Sequence, residues 1–194
     1  MRLSPFFLCF ALVFSVGCNN SADSPYKLSG PDVEKKLMEI FITAKSGDRI
    51  ILPEGTFKFN RPLSLNDVSN VVIKGQGKGK TILSFKGQIE GAEGLIVKKV
   101  KGITLEGFTV QDSKGDAIKV QDSENVTMRG LETTWTGGAL STNGGYGLYP
   151  VNCTNVLMEE CEASYASDAG IYVGQSRNAI VINFDFFMSH YRNS

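Results

Sequence analysis

One stretch of this sequence gathers side chains suited to acid–base or recognition chemistry. There is a single His, His190, so His-based triads and His-rich metal sites are poor candidates. Between positions 116 and 172 lie Asp116, Lys119, Trp135, Tyr146, Tyr149, Asp168 and Tyr172. A Lys and a Tyr can abstract and donate protons once their pKa values are shifted, and a Lys beside tyrosines can hold an acidic sugar polymer. The bland alternative is a surface Lys whose stem packs across tyrosines. Trp135, the only Trp, has two readings of equal weight: an exposed indole that stacks on a sugar, or a plug folded onto the body of the protein. Asp112, Asp116, Asp122 and Glu124 crowd together in sequence. They offer oxygen ligands for Ca²⁺, although solvated turn carboxylates are the commoner outcome, and no other cofactor is suggested.

Composition narrows the partners. Twenty basic groups balance twenty acidic ones, which argues against a nucleic-acid partner held through phosphates. Hydrophobic residues make up 42% and charged residues 21% of 194, the balance of one globular domain.

The N-terminus reads as an address. Arg2 precedes the apolar run Phe6 to Val16, which is short for a bilayer span. Ser15-Val16-Gly17-Cys18 closes it. This pattern resembles a bacterial lipoprotein signal. The resemblance implies a signal over 1–17, a lipid on Cys18 that anchors the chain to a membrane, and a place in the bacterial cell envelope, periplasmic or on the outer membrane. An ordinary secretory signal is the alternative, and both mean export. Residues 18–30 are small and polar and suit a tether. Beyond Cys18 only Cys153 and Cys161 remain. They are the one possible disulfide pair, and Cys161 reads better as a small core residue.

What must position the chemical residues is a repeat. Leu95, Ile118, Leu148 and Ile171 stand 23, 30 and 23 apart. The same spacings relate Ile103, Val126, Val156 and Ala179; Leu105, Met128, Met158 and Val181; and Phe108, Leu131, Cys161 and Phe184. Val97, Val120, Pro150 and Val173 form a fifth column. Inside each repeat the apolar residues alternate, as in Val126-Thr127-Met128, so the units are strands with one face buried. Three short strands in about 23 residues is the arithmetic of one coil of a parallel β-helix. Asn125, Asn155 and Asn178 fall in one column before a strand, where stacked amides can bond from coil to coil. Upstream, Val33, Leu37, Ile40, Phe41 and Ala44 have helical spacing, which predicts a helix over 31–44 that caps the open end of the stack.

Two further motifs carry a family resemblance. Gly47-Asp48-Arg49-Ile50-Ile51-Leu52-Pro53-Glu54-Gly55-Thr56-Phe57, followed by Val71-Val72-Ile73-Lys74-Gly75-Gln76-Gly77, is similar to the opening of the pectin-lyase-like superfamily. The resemblance spans about residues 31–182. It implies an all-β, right-handed parallel β-helix, and the chain looks like exported bacterial β-helix repeat proteins. The fold itself hosts lyases, hydrolases, epimerases and inert spacers alike.

Alternation places the candidate site. The interval of 30 inserts seven residues within 134–145, and insertions in solenoids go to surface loops. With Leu148 and Pro150 inward, Gly147, Tyr149 and Val151 should face outward, as should Ala117 and Lys119 one coil earlier and Gly170 and Tyr172 one coil later. Lys119, Tyr149 and Tyr172 then share one outward column. Tyr146-Gly147-Leu148-Tyr149-Pro150-Val151 is similar to the catalytic Tyr-Gly-x-Asp-Pro-His motif of mannuronan C5-epimerases, which also use a Lys one coil earlier. The resemblance implies catalytic roles for Tyr146 and Lys119, but Tyr149 and Val151 replace its Asp and His.

Three functions are expected from these residues. The first is a membrane-anchored binder of an acidic polysaccharide that uses Lys119, Tyr146, Tyr149, Tyr172, Trp135, Asp116 and Asp168. The second is a lyase or epimerase-like enzyme acting on uronate polymers. The third is a structural module without a ligand. The β-helix domain, over 31–194, looks incomplete at its C-terminal end, where an open strand edge would suit a protein partner.

Overall fold

The computed structural model describes residue 28 and residues 32–187. The proposed signal, Cys18, most of the tether and His190 lie outside them.

Alternating strands wind as their period demands. Every named strand pairs in parallel with the strand one repeat away, and the pairs assemble into three sheets. The first holds Arg49–Ile51, Ser69–Lys74, Lys101–Glu106, Glu124–Arg129, Thr154–Glu159 and Arg177–Ile182. The second runs from Gly55–Lys58 through Thr81–Ser84, Thr109–Gln111, Glu132–Thr134 and Glu162–Ser164 to Asp185–Phe187. The third stacks Leu63–Asn66, Leu95–Lys98, Ile118–Gln121, Tyr146–Val151 and Ala169–Ile171. Successive rungs thus form a right-handed parallel β-helix.

The columns read from spacing are the observed register. Val126 pairs with Ile103 on one side and Val156 on the other, and Val156 pairs with Ala179. Leu95, Ile118 and Leu148 stack in the same way and are fully buried. Each inward side chain lies over a like side chain one rung away, at strand spacing, which packs a continuous apolar core.

Corners come from left-handed residues that recur at the repeat interval. Asn70, Asn125, Asn155 and Asn178 all have φ between 52° and 57°, with Gly102 (φ 80°) at the rung between the first two. Asn and Gly tolerate this region at least cost. The Asn155 amide donates to Asn125 Oδ1 at 2.9 Å, and the Asn178 amide to Asn155 Oδ1 at 3.1 Å. The asparagine column is therefore a hydrogen-bonded ladder that fixes the turn.

The predicted helix spans Val33–Thr43 and buries Val33, Leu37, Ile40 and Phe41. It packs on Leu63–Asn66 and Gly55–Lys58, the first strands of their sheets, and so covers that end of the stack. Asp32 is its N-cap residue but makes no side-chain capping bond. No helix among the described residues is long and apolar enough to cross a membrane. At the other end, Val181 sits in the column of the fully buried Met128 and Met158 yet is 41% exposed.

One expectation fails. Ala117 and Gly147 do not face outward: both are buried, and a Cβ on Gly147 would collide with Thr133 Oγ1 and stand 2.5 Å from the Gly170 carbonyl oxygen. Strict alternation breaks here because this column packs against the second sheet: a Cβ on Gly94 would meet Val110, and one on Gly147 would meet Thr133 and Ala163. The column Gly94, Ala117, Gly147, Gly170 is small for this reason: at Gly94 a Cβ would lie 2.7 Å from the Ala117 carbonyl oxygen.

Candidate functional site: a tyrosine face on the third sheet

Register carries Lys119 to Tyr149, and the pairing of Leu148 with Ile171 carries Tyr149 to Tyr172. The outward column drawn from the sequence therefore exists. Tyr146, at the start of the same strand as Tyr149, packs its ring against those of Tyr149 and Tyr172. Its centroid is 4.7 Å from that of Tyr149 and 4.8 Å from that of Tyr172, the latter pair stacked at 22°. Tyr149 and Tyr172 are 5.4 Å apart. These separations lie within the attractive range for aromatic pairs. Gly174 makes room for the cluster, since a Cβ there would stand 3.0 Å from the Tyr149 ring.

The charges are arranged around the rings. Lys119 Nζ lies 5.1 Å from the Tyr149 centroid, a cation–π distance. It is also 3.3 Å from Asp116 Oδ2 and 3.9 Å from Glu93 Oε1. The Tyr146 hydroxyl donates to the Asp168 carboxylate, which is the main reason its pKa is raised above that of ordinary tyrosine. A phenol held in this way stays protonated, so it offers a hydrogen bond and is a poor general base. Glu93 was missed from sequence, although it stands 23 residues before Asp116 and so obeys the repeat that located the others.

Trp135 does not belong to this face. It is 4% exposed, and its Nε1 donates to the Ser113 carbonyl at 2.7 Å. The buried indole cannot offer its face to a sugar, so the plug is the observed state. The inserted segment is held by local bonds: Asp112 accepts from the Thr136 backbone and hydroxyl, and the Asn143 amide donates to the carbonyls of Gly138 and Tyr165. Its far end delivers Tyr146 into the third sheet. Gly144 must stay small, because a Cβ there would overlap the Gly115 carbonyl.

The four carboxylates considered for Ca²⁺ do not converge. Asp112 is engaged with Thr136, Asp122 with Asn152 and Gln121, and Asp116 with Lys119. Among the described residues no group of three or more His, Cys, Asp or Glu is placed to hold a metal ion. Cys153 and Cys161 are buried free thiols rather than a disulfide. Of the epimerase-like set, Tyr146 and Lys119 do share one face. Tyr149 packs against the lysine where that family has Asp, and Val151 follows two residues on.

A family model described as the right handed beta helix region matches residues 93–192, just over half of the chain. This chain belongs to that family. Among solved structures, the β-helix protein is similar to a proposed glycosyl hydrolase from Parabacteroides merdae ATCC 43184. The identity is 18%, the TM-score 0.55, and the match covers 79% of this chain and 88% of that one. It is also similar to an alginate lyase from Paenibacillus sp. str. FPU-7, at 16% identity and a TM-score of 0.49, over 79% of this chain and 74% of that one. At such identities the likeness is one of fold. No curated protein sequence matches the β-helix protein.

Proposed function

We propose that this β-helix protein binds polysaccharide on the third-sheet face formed by Lys119, Tyr146, Tyr149 and Tyr172. One observation carries the reading: three tyrosine rings within 5.4 Å of one another, with a lysine over one of them, sit on the outer face of rigid stacked rungs. Tyrosines offer apolar ring faces to sugar C–H groups and hydroxyls to sugar oxygens at small cost in side-chain entropy. Rungs locked by parallel pairing hold the rings in place before a ligand arrives, which reduces the ordering cost of binding. Tyr172 is 41% exposed and marks the open side of the cluster. The proposal extends to location: an exported chain, lipid-anchored through Cys18, would hold this face at the cell envelope.

Retention on immobilised polysaccharide tests the reading. The protein should be retained, and Tyr149→Ala with Tyr172→Ala should release it while leaving the fold intact by circular dichroism. Failure to bind any polymer would end the proposal.

A second reading, a uronate lyase or epimerase, is favoured by the meeting of a lysine amine and a tyrosine phenol on one face. Incubation with alginate and with pectin separates the two. Absorbance from unsaturated sugar ends would make the protein a lyase, and retention without turnover a binder.

A further inference from the structure

We infer that the polymer taken by this face is one without carboxylate groups, a neutral glycan rather than a uronate. The inference rests on the carbohydrate reading above and sharpens its ligand class. The sequence suggests the opposite, because Lys119 looks like a cation waiting for an acidic sugar. The structure gives that cation partners of its own. Its ammonium is 3.3 Å from Asp116 and 3.9 Å from Glu93, and its side chain is only 21% exposed. A third carboxylate, Asp168, accepts the Tyr146 hydroxyl. Lys98 lies one rung back in the next outward column, in register with Gln121. Even with Lys98 counted, three carboxylates face two ammonium groups.

A uronate entering here would have to take Lys119 from Asp116 and Glu93 while lying beside both. Each like-charge contact opposes it, and the lysine's attraction is already spent on those two neighbours. A neutral sugar meets no such opposition. It finds ring faces on three tyrosines and hydrogen-bond acceptors on the carboxylates, which match sugar hydroxyl donors. Charge here selects the ligand by excluding the wrong one.

Affinity electrophoresis of the mature full chain tests the inference. Gels carry β-1,3-glucan, β-1,4-mannan or arabinoxylan on one side, and alginate or polygalacturonate on the other, at roughly physiological salt. The expected result is retardation by at least one neutral polymer and none by the acidic pair. The double substitution Glu93→Gln with Asp116→Asn frees Lys119, and should strengthen polygalacturonate binding about five-fold or more. Thermal melts of both proteins establish that they are folded. Retardation of the wild type by alginate or polygalacturonate, equal to or stronger than by the neutral gels, overturns the inference and leaves the carbohydrate reading standing. So does a folded double variant with no gain on polygalacturonate. No retardation in any gel overturns the carbohydrate reading itself.

Discussion

Lys119 Nζ stands 5.1 Å from the centre of the Tyr149 ring, although thirty residues separate the two in sequence. They are vertical neighbours because one rung of the helix, with its insertion, takes up those thirty residues. Removing either half of the pair should weaken polysaccharide binding. Lys119→Ala leaves Asp116 and Glu93 without their shared cation, and Tyr149→Ala removes the ring that Lys119 overlies. Each should lower affinity by about ten-fold, as loss of a binding anchor commonly does. Isothermal titration with the polymer that retains the wild type reads this, and unchanged affinity in both variants would remove the site.

Trp135 should behave as core. As the only Trp, it reports alone in fluorescence. Its emission should be blue-shifted, poorly quenched by acrylamide, and unmoved by saturating polysaccharide. Trp135→Ala should cost about 3–5 kcal/mol, the usual penalty for emptying a large buried site. A sugar-dependent emission shift would put the indole back on the surface.

Thr133 Oγ1 is buried without a hydrogen-bond partner among the described residues. It lies in the inward column between Val110 and Ala163. Thr133→Val keeps the shape and removes the unpaired hydroxyl, so it should stabilise by about 1 kcal/mol, a rise in Tm of roughly 2–4 °C for a chain of this size. Gly147→Ala meets that same hydroxyl and the Gly170 carbonyl, and should destabilise by about 1–3 kcal/mol. Calorimetry of the two variants should give opposite signs, and equal signs would contradict the packing.

Burial pushes the thiols of Cys153 and Cys161 above their ordinary pKa. Neither should react with Ellman's reagent in the native protein, and both should react in denaturant. Reducing agent should leave the Tm unchanged, because the thiols are not paired.

Tyr146 should titrate above ordinary tyrosine because Asp168 holds its proton. A raised folded-state pKa favours the protonated form. The stabilisation is therefore fully present below the pKa of tyrosine in the unfolded chain, about 10, and is lost as pH rises through the higher folded value. Asp168→Asn should move one phenol down in a spectrophotometric titration at alkaline pH. A wild-type profile with no late-titrating phenol would show that the hydrogen bond is absent.

The winding of the chain was legible before any coordinates. Spacings of 23 and 30 in apolar columns bury Ile103, Val126 and Val156 together, because period-two strands hide one face only by stacking. That same periodicity placed Lys119 under Tyr149. What periodicity could not decide lay at corners and in charges. Ala117 and Gly147 face inward because their column packs against the second sheet, which alternation along one strand does not show. Trp135 is a plug because Gly144 leaves room beside its ring and the Ser113 carbonyl accepts its N–H, neither of which is encoded locally. Glu93 reached Lys119 only through the stacking of rungs. Residue spacing sets which side chains become neighbours. Whether a neighbour is a partner emerges only in three dimensions, since ion pairing and burial depend on distances of a few ångströms that spacing does not specify.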